Sequence, residues 1–87
     1  MPRPANSEFW ERLRAARELA RKSRDDLAAA LGVSPSAIES WESLDPKTRA
    51  HPTAQQIMRI AKLCGLPAYL LVDDAVSTQD IKSYTGL

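Results

Sequence analysis

Between Ser23 and Trp41 two short helices must turn on a single glycine, and that junction limits the chain to few architectures. Ser23-Arg24-Asp25-Asp26 begins with a cap residue and sets a carboxylate at the third helical position, the pattern of a capping box. Leu27, Ala28 and Leu31 supply the buried side of that helix. Gly32 follows at once, where a left-handed cap carries no steric penalty for glycine. Ser34 caps the next helix, and Pro35 suits its first position, where no N–H is needed. Ile38 and Trp41 stand one turn apart and face inward. The two helices are placed near residues 24–31 and 35–43, and so brief a link forces them to cross steeply.

The rest of the chain surrounds this pair with helices. Residues 1–6 hold two prolines and read as a loose arm whose charged side chain is Arg3. Ser7 is placed to cap a helix beginning at Glu8. Phe9, Leu13, Ala16 and Ala20 form its apolar stripe, widened by Trp10 and Leu19, while Arg12, Arg14, Arg17 and Arg21 take other faces. Residues 44–52 contain two prolines and no periodicity, so they form a loop. Thr53 and Gln56 make a second capping box, and Ile57, Ile60, Ala61 and Cys64 recur at helical spacing until Gly65. Residues 66–72 form a short apolar helix, after which Asp73 and Asp74 break away. Ser77-Thr78-Gln79-Asp80 signals a last short helix over 78–84. The organisation is a loose arm at 1–6, a helical domain at 7–72, and a tail at 73–87 that offers a dimer contact.

Composition excludes several classes of function. With 87 residues there is room for one domain. A chain this short is only marginally stable alone, so pairing with a second copy would help it. At 44% hydrophobic and 26% charged residues, it is an ordinary globular sequence. One cysteine, Cys64, and one histidine, His51, give neither an internal disulfide nor a metal cluster. No stretch approaches a membrane span, the first residues form no signal peptide, and a cytoplasmic setting is expected. With no nucleophile–base set and no Gly-rich phosphate cradle, no catalytic residue, metal or cofactor is assigned. Cys64 reads as a small buried thiol, Trp41 as core, and His51 as a solvated loop residue. Trp10 reads as core first and partner surface second.

Over residues 13–72 the pattern resembles the lambda-repressor/Cro-like (XRE) helix-turn-helix family. The matching stretches are LRAARELARKSRDDLAAALGVSPSAIESWE and PTAQQIMRIAKLCGLPAYLL, the most specific part being LAAALGVSPSAIESWE. The resemblance implies an all-α, five-helix lambda-repressor-like domain, here followed by a short C-terminal helix. It also implies double-stranded DNA as partner, bound by a homodimer with the third helix in the major groove and the second helix's start on phosphate. The chain departs from the family pattern in three places. Arg24 stands where the family often has Gln, Arg21-Lys22 where it often has a Gly-apolar pair, and the loop after Glu42 is a few residues longer.

Charge is distributed unevenly around the expected reading helix. That helix exposes Pro35, Ser36, Ala37, Glu39, Ser40 and Ser43, with none of the Arg, Lys, Asn or Gln side chains that commonly read bases. Residues 25–44 carry four acids and no base, residues 1–24 seven bases against three acids, and residues 45–62 four bases against one acid. Phosphate clamps are therefore expected at Arg14, Arg17, Arg21, Lys22 and Arg24 on one side and at Lys47 and Arg49 on the other. The expected base- or groove-facing residues are Ser34, Ser36, Glu39, Ser40 and Ser43. Binding should be weak and salt-sensitive, with specificity partly from DNA shape. A transcriptional regulator of repressor or antitoxin type is the expectation. The alternative is a protein-interaction domain that keeps the scaffold and has lost DNA reading. Tyr69, Leu70, Val76, Ile81 and Tyr84 are the candidate dimer contacts.

Overall fold

The computed structural model describes residues 8–84, and among these every regular element is a helix. In order they are α1 (Phe9–Leu19), α2 (Arg24–Leu31), α3 (Pro35–Trp41), α4 (Ala54–Cys64), α5 (Tyr69–Val72) and α6 (Thr78–Lys82). The all-α, five-helix plan holds, with the short extra helix after it. The arm over residues 1–6 and Ser7 lie outside the described residues, and Glu8, expected as the first helical residue after a Ser7 cap, is itself the cap of α1, its N–H donating to Glu11 Oε1 at 3.0 Å.

Local capping chemistry starts most of these helices. Ser23 Oγ accepts the Asp26 N–H at 3.0 Å, and the Asp26 carboxylate accepts the Ser23 N–H at 3.0 Å. The backbone N–H of Ser23 first, and its hydroxyl second, hold the Asp26 carboxyl below its ordinary pKa. Thr53 and Gln56 make the same reciprocal pair for α4, and Ser77 and Asp80 for α6. Ser34 Oγ accepts the Ala37 N–H at 3.3 Å, and Pro35 follows it.

Three helix ends close in one way. The N–H of Val33 reaches Ala28 O at 3.0 Å, that of Leu66 reaches Ala61 O at 2.9 Å, and that of Lys22 reaches Arg17 O at 3.1 Å. Each closure needs a left-handed residue just before its donor. Gly32 (φ 73°) and Gly65 (φ 72°) fill two of these places; Arg21 (φ 56°) fills the third. An L side chain there costs about 1–2 kcal/mol, so the end of α1 carries strain that the other two avoid.

One core joins all six helices. It contains Leu13 and Ala16 of α1, Leu27 and Leu31 of α2, Ile38 and Trp41 of α3, and Ile57, Ile60, Ala61 and Cys64 of α4. Leu70, Leu71, Val76 and Ile81 complete it from the C-terminal side. α1 packs against α4, α5 and α6, while α2 packs against α3 and α4. Burial in this core raises the pKa of the Cys64 thiol.

Contact with α6 changes how α1 is used. Arg12, expected on an outward face, is 1% exposed. Its Nε–H donates to Leu71 O at 2.8 Å, and Nη2 meets the Asp74 carboxylate at 3.3 Å. Ala15 is buried beside it, whereas Leu19, expected to widen the apolar stripe, is exposed. The correction has a simple cause: α1 is covered on two sides, and the second cover comes from the C-terminal segment. The chain leaves the helix after Val72 as expected, Asp74 still reaching Arg12, and Asp73 Oδ1 accepts the Ala75 N–H at 2.9 Å to shape the turn between α5 and α6. The dimer contacts expected at Leu70, Val76 and Ile81 are also corrected, because all three are buried within this core. Tyr84 is partly buried against it, and Tyr69 alone of the five is exposed. α5 begins at Tyr69 rather than Leu66, since Leu66 closes α4 and Pro67 has no N–H to give.

Candidate nucleic-acid interface

α3 presents its first turns to solvent and fixes its last turn by distant partners. Pro35, Ser36 and Glu39 are exposed, while Ile38 and Trp41 are buried beneath them. Ala37 is only partly exposed, packed at the core edge. A shallow groove of about 350 Å³ runs beside the helix, lined by Ser36, Glu39, Ser40, Ser43 and Thr48. Ser34 lies at the helix start with its hydroxyl engaged as cap. The helix ends at Trp41, with Glu42 as its cap, so Ser43 belongs to the following loop rather than to the reading helix.

Glu42 does not add negative charge to the surface. Its side chain is 0% exposed and holds two arginines. Arg17 engages it side-on, Nε to Oε2 at 2.8 Å and Nη2 to Oε1 at 3.0 Å. Arg17 Nη1 donates to Lys22 O at 3.0 Å, and the residue is only 12% exposed. Its hydrogen bond to Glu42 outweighs desolvation and raises the pKa of a group already always charged. Arg24, from the first turn of α2, donates Nε to Glu42 Oε1 at 3.2 Å but stays 40% exposed. Of the expected clamps, Arg17 is thus held inside the fold, and Arg24 stands at its edge.

The loop after α3 is longer than a simple turn and is stapled to the helix. Ser40 Oγ donates to Thr48 O at 2.9 Å and accepts the Ala50 N–H at 3.1 Å. Ser43 Oγ lies 2.7 Å from Thr48 Oγ1 and accepts the Asp45 N–H at 3.2 Å. Arg49 donates Nε to Ser43 O at 2.8 Å and Nη2 to Leu44 O at 3.2 Å. Its Nη1 reaches Glu8 at 3.4 Å, and its guanidinium lies 5.3 Å from the Trp10 ring centroid, a cation–π distance. Ser40, Ser43 and Arg49, expected at the DNA surface, brace this loop, and Ser40 and Ser43 also line the groove beside α3. Lys47 is exposed on it, its backbone N–H fixed by Asp45 Oδ1 at 2.9 Å.

The remaining expected clamps lie on α1 and the turn after it. Arg14 pairs with Glu18 at 3.4 Å on an open helix face. Arg21 is exposed and Lys22 half-buried, both just before α2. Arg24 is thus bonded to the cap of α3, Lys47 is exposed on the loop that follows it, and Arg14 lies on the open face of α1. Sequence reasoning missed the role of Glu42; its burial was signalled only by its place directly after the core residue Trp41. His51 is exposed, yet its ring centroid is 4.5 Å from that of Phe9, so it packs rather than floats. Among the described residues no group of three His, Cys, Asp or Glu is gathered to hold a metal, and no helix is long and apolar enough to cross a membrane.

Comparison with known proteins agrees with this geometry. The sequence model of a helix-turn-helix domain matches residues 8–71. Among solved structures, the chain is similar to the solution NMR structure of the DNA-binding domain of the P22 C2 repressor, residues 1–76. The TM-score is 0.69 at 22% identity, covering 91% of this chain and 99% of that one, a likeness of fold. Nothing among curated proteins matches.

Proposed function

Because the chain belongs to the helix-turn-helix domain family, we propose that it is a DNA-binding transcription regulator of the repressor or antitoxin type. α3 enters the major groove with Ser36 and Glu39 toward base edges, and Arg24 and Lys47 contact phosphates on either side. Arg21, Lys22 and Arg14 add charge along the flank nearest α1. Arg17 and Arg49 act indirectly, by holding Glu42 and the loop. One observation carries this reading: a half-exposed cation from the start of α2 is bonded to the cap of α3, and an exposed cation stands on the braced loop that follows α3, whose first turns face solvent. A cytoplasmic setting suits that role.

Binding should depend strongly on salt, because phosphate contacts release counterions and Ser36 and Glu39 supply few strong base contacts. Selection from a random duplex pool at two salt concentrations tests this. Enrichment at the lower salt, fading at the higher, is expected. No enrichment at the lower salt would leave the second reading, a protein-interaction domain on the same scaffold. That reading is favoured by Tyr69 and Val72, two large apolar side chains exposed one turn apart on α5. In the DNA-binding reading the same pair is the contact for a second copy in a homodimer; light scattering at high concentration giving a monomer mass would remove it.

A further inference from the structure

We infer that Glu42 is a positioning residue for phosphate contact: it fixes the plane of Arg24 so that the outer fork of that guanidinium is pre-set to receive one anion. The inference rests on the DNA-binding reading and concerns how the clamp is built.

The geometry separates the two arginines that share this carboxylate. Arg17 uses Nε and Nη2 on Glu42 and Nη1 on a backbone carbonyl, so each of its nitrogens is engaged. Arg24 gives Glu42 only its Nε, at 3.2 Å. A guanidinium is planar, with its N–H groups in a rigid fork. Anchoring Nε therefore orients both terminal nitrogens and turns the end of the fork away from the buried carboxylate. One carboxylate between two guanidiniums leaves one positive charge uncompensated. Arg17 is nearly buried and Arg24 is not, so that excess is available at Arg24. A phosphate oxygen pair matches the end of the fork bidentately.

The arrangement also links reading helix to clamp. Arg24 begins α2, and Glu42 caps α3. The shared bond thus sets the distance between a phosphate contact and the base-facing side of α3. Lysine at position 24 would keep the charge but could not be held by Nε and offer a fork at once.

The test is a double-mutant cycle on binding to a short mixed-sequence duplex at low salt, at a temperature where thermal unfolding shows every protein folded. Arg24→Ala is expected to lose about tenfold in affinity and to reduce the salt slope by about one. Arg24→Lys should lose most of the same affinity although its charge is retained. Glu42→Gln should weaken binding several-fold in the Arg24 protein and have no further effect in the Arg24→Ala protein. Equal losses from Glu42→Gln in both backgrounds would mean a purely structural Glu42 and overturn the inference. Should Glu42→Gln not fold, the lysine variant decides: wild-type affinity and slope for Arg24→Lys would overturn it. Failure of the unaltered protein to bind any duplex at the lowest salt is a different result, which removes the DNA-binding reading itself.

Discussion

The two ends of α3 are built in opposite ways. At its start, Gly32, Ser34 and Pro35 do the work within four consecutive residues, and the bonds that close the turn span five residues or fewer. At its end, Glu42 is held from 25 residues away by Arg17 and from 18 away by Arg24. The loop beyond it is held by Ser40, Ser43, Thr48 and Arg49, and through Arg49 by Glu8, 41 residues distant. A local end is fixed by backbone preference and fails by about the cost of one conformation. A remote end is fixed by burying charge, and its failure leaves unpaired ions inside. The exposed face that would meet DNA lies between the two, so its direction depends on both.

Glu42→Ala should therefore break the contrast most visibly. It leaves Arg17 nearly buried without a counter-charge, and thermal or urea unfolding should show a loss of about 3–5 kcal/mol. The share owed to the more exposed Arg24 is smaller. At the other end, Gly32→Ala should cost about 1–2 kcal/mol. Nothing lies within 4 Å of the added Cβ, so that loss is one of backbone conformation alone. A cost at Gly32 equal to that at Glu42 would erase the distinction.

Ser40→Ala should cost about 1 kcal/mol and loosen the loop, read as faster amide exchange at Ala50. Arg21→Gly sharpens the comparison from the opposite side. It should stabilise the chain by up to about 1 kcal/mol, since a third helix end would then be closed by glycine. The smallest effect is expected at Asp26. Its carboxyl pKa is lowered by the Ser23 bonds, so its contribution is full above pH ~4 and is lost as pH falls through the lowered folded value. Asp26→Asn should make the acid side of the stability curve less steep, and an unchanged acid side would contradict this.

How much was legible in the sequence follows the same division. The caps at Ser23, Ser34, Thr53 and Ser77, the glycine turns, and the inner face of α4 all depend on neighbours within a few residues, and all could be read directly. Arg12 could not, because its face of α1 becomes interior only when the C-terminal segment docks, bringing Leu71 O and Asp74 to it. Docking of that segment also took Leu70, Val76 and Ile81 into the core, although their apolar character alone fitted a dimer surface equally well. Charge counting placed four acids on and around α3 without seeing that Glu42 is neutralised internally. It counted Arg17 and Arg49 as free cations for the same reason: helical periodicity records which face a residue takes, and not which distant group awaits it there.

The most direct test of the account is an NMR titration of the folded protein with a duplex chosen by selection. Amide and side-chain shifts are expected to concentrate at Arg24, Ser36, Glu39 and Lys47, with Tyr69 and Val72 unmoved at constant oligomeric state. Shifts centred on Tyr69 and Val72, with α3 and Arg24 unmoved, would contradict it.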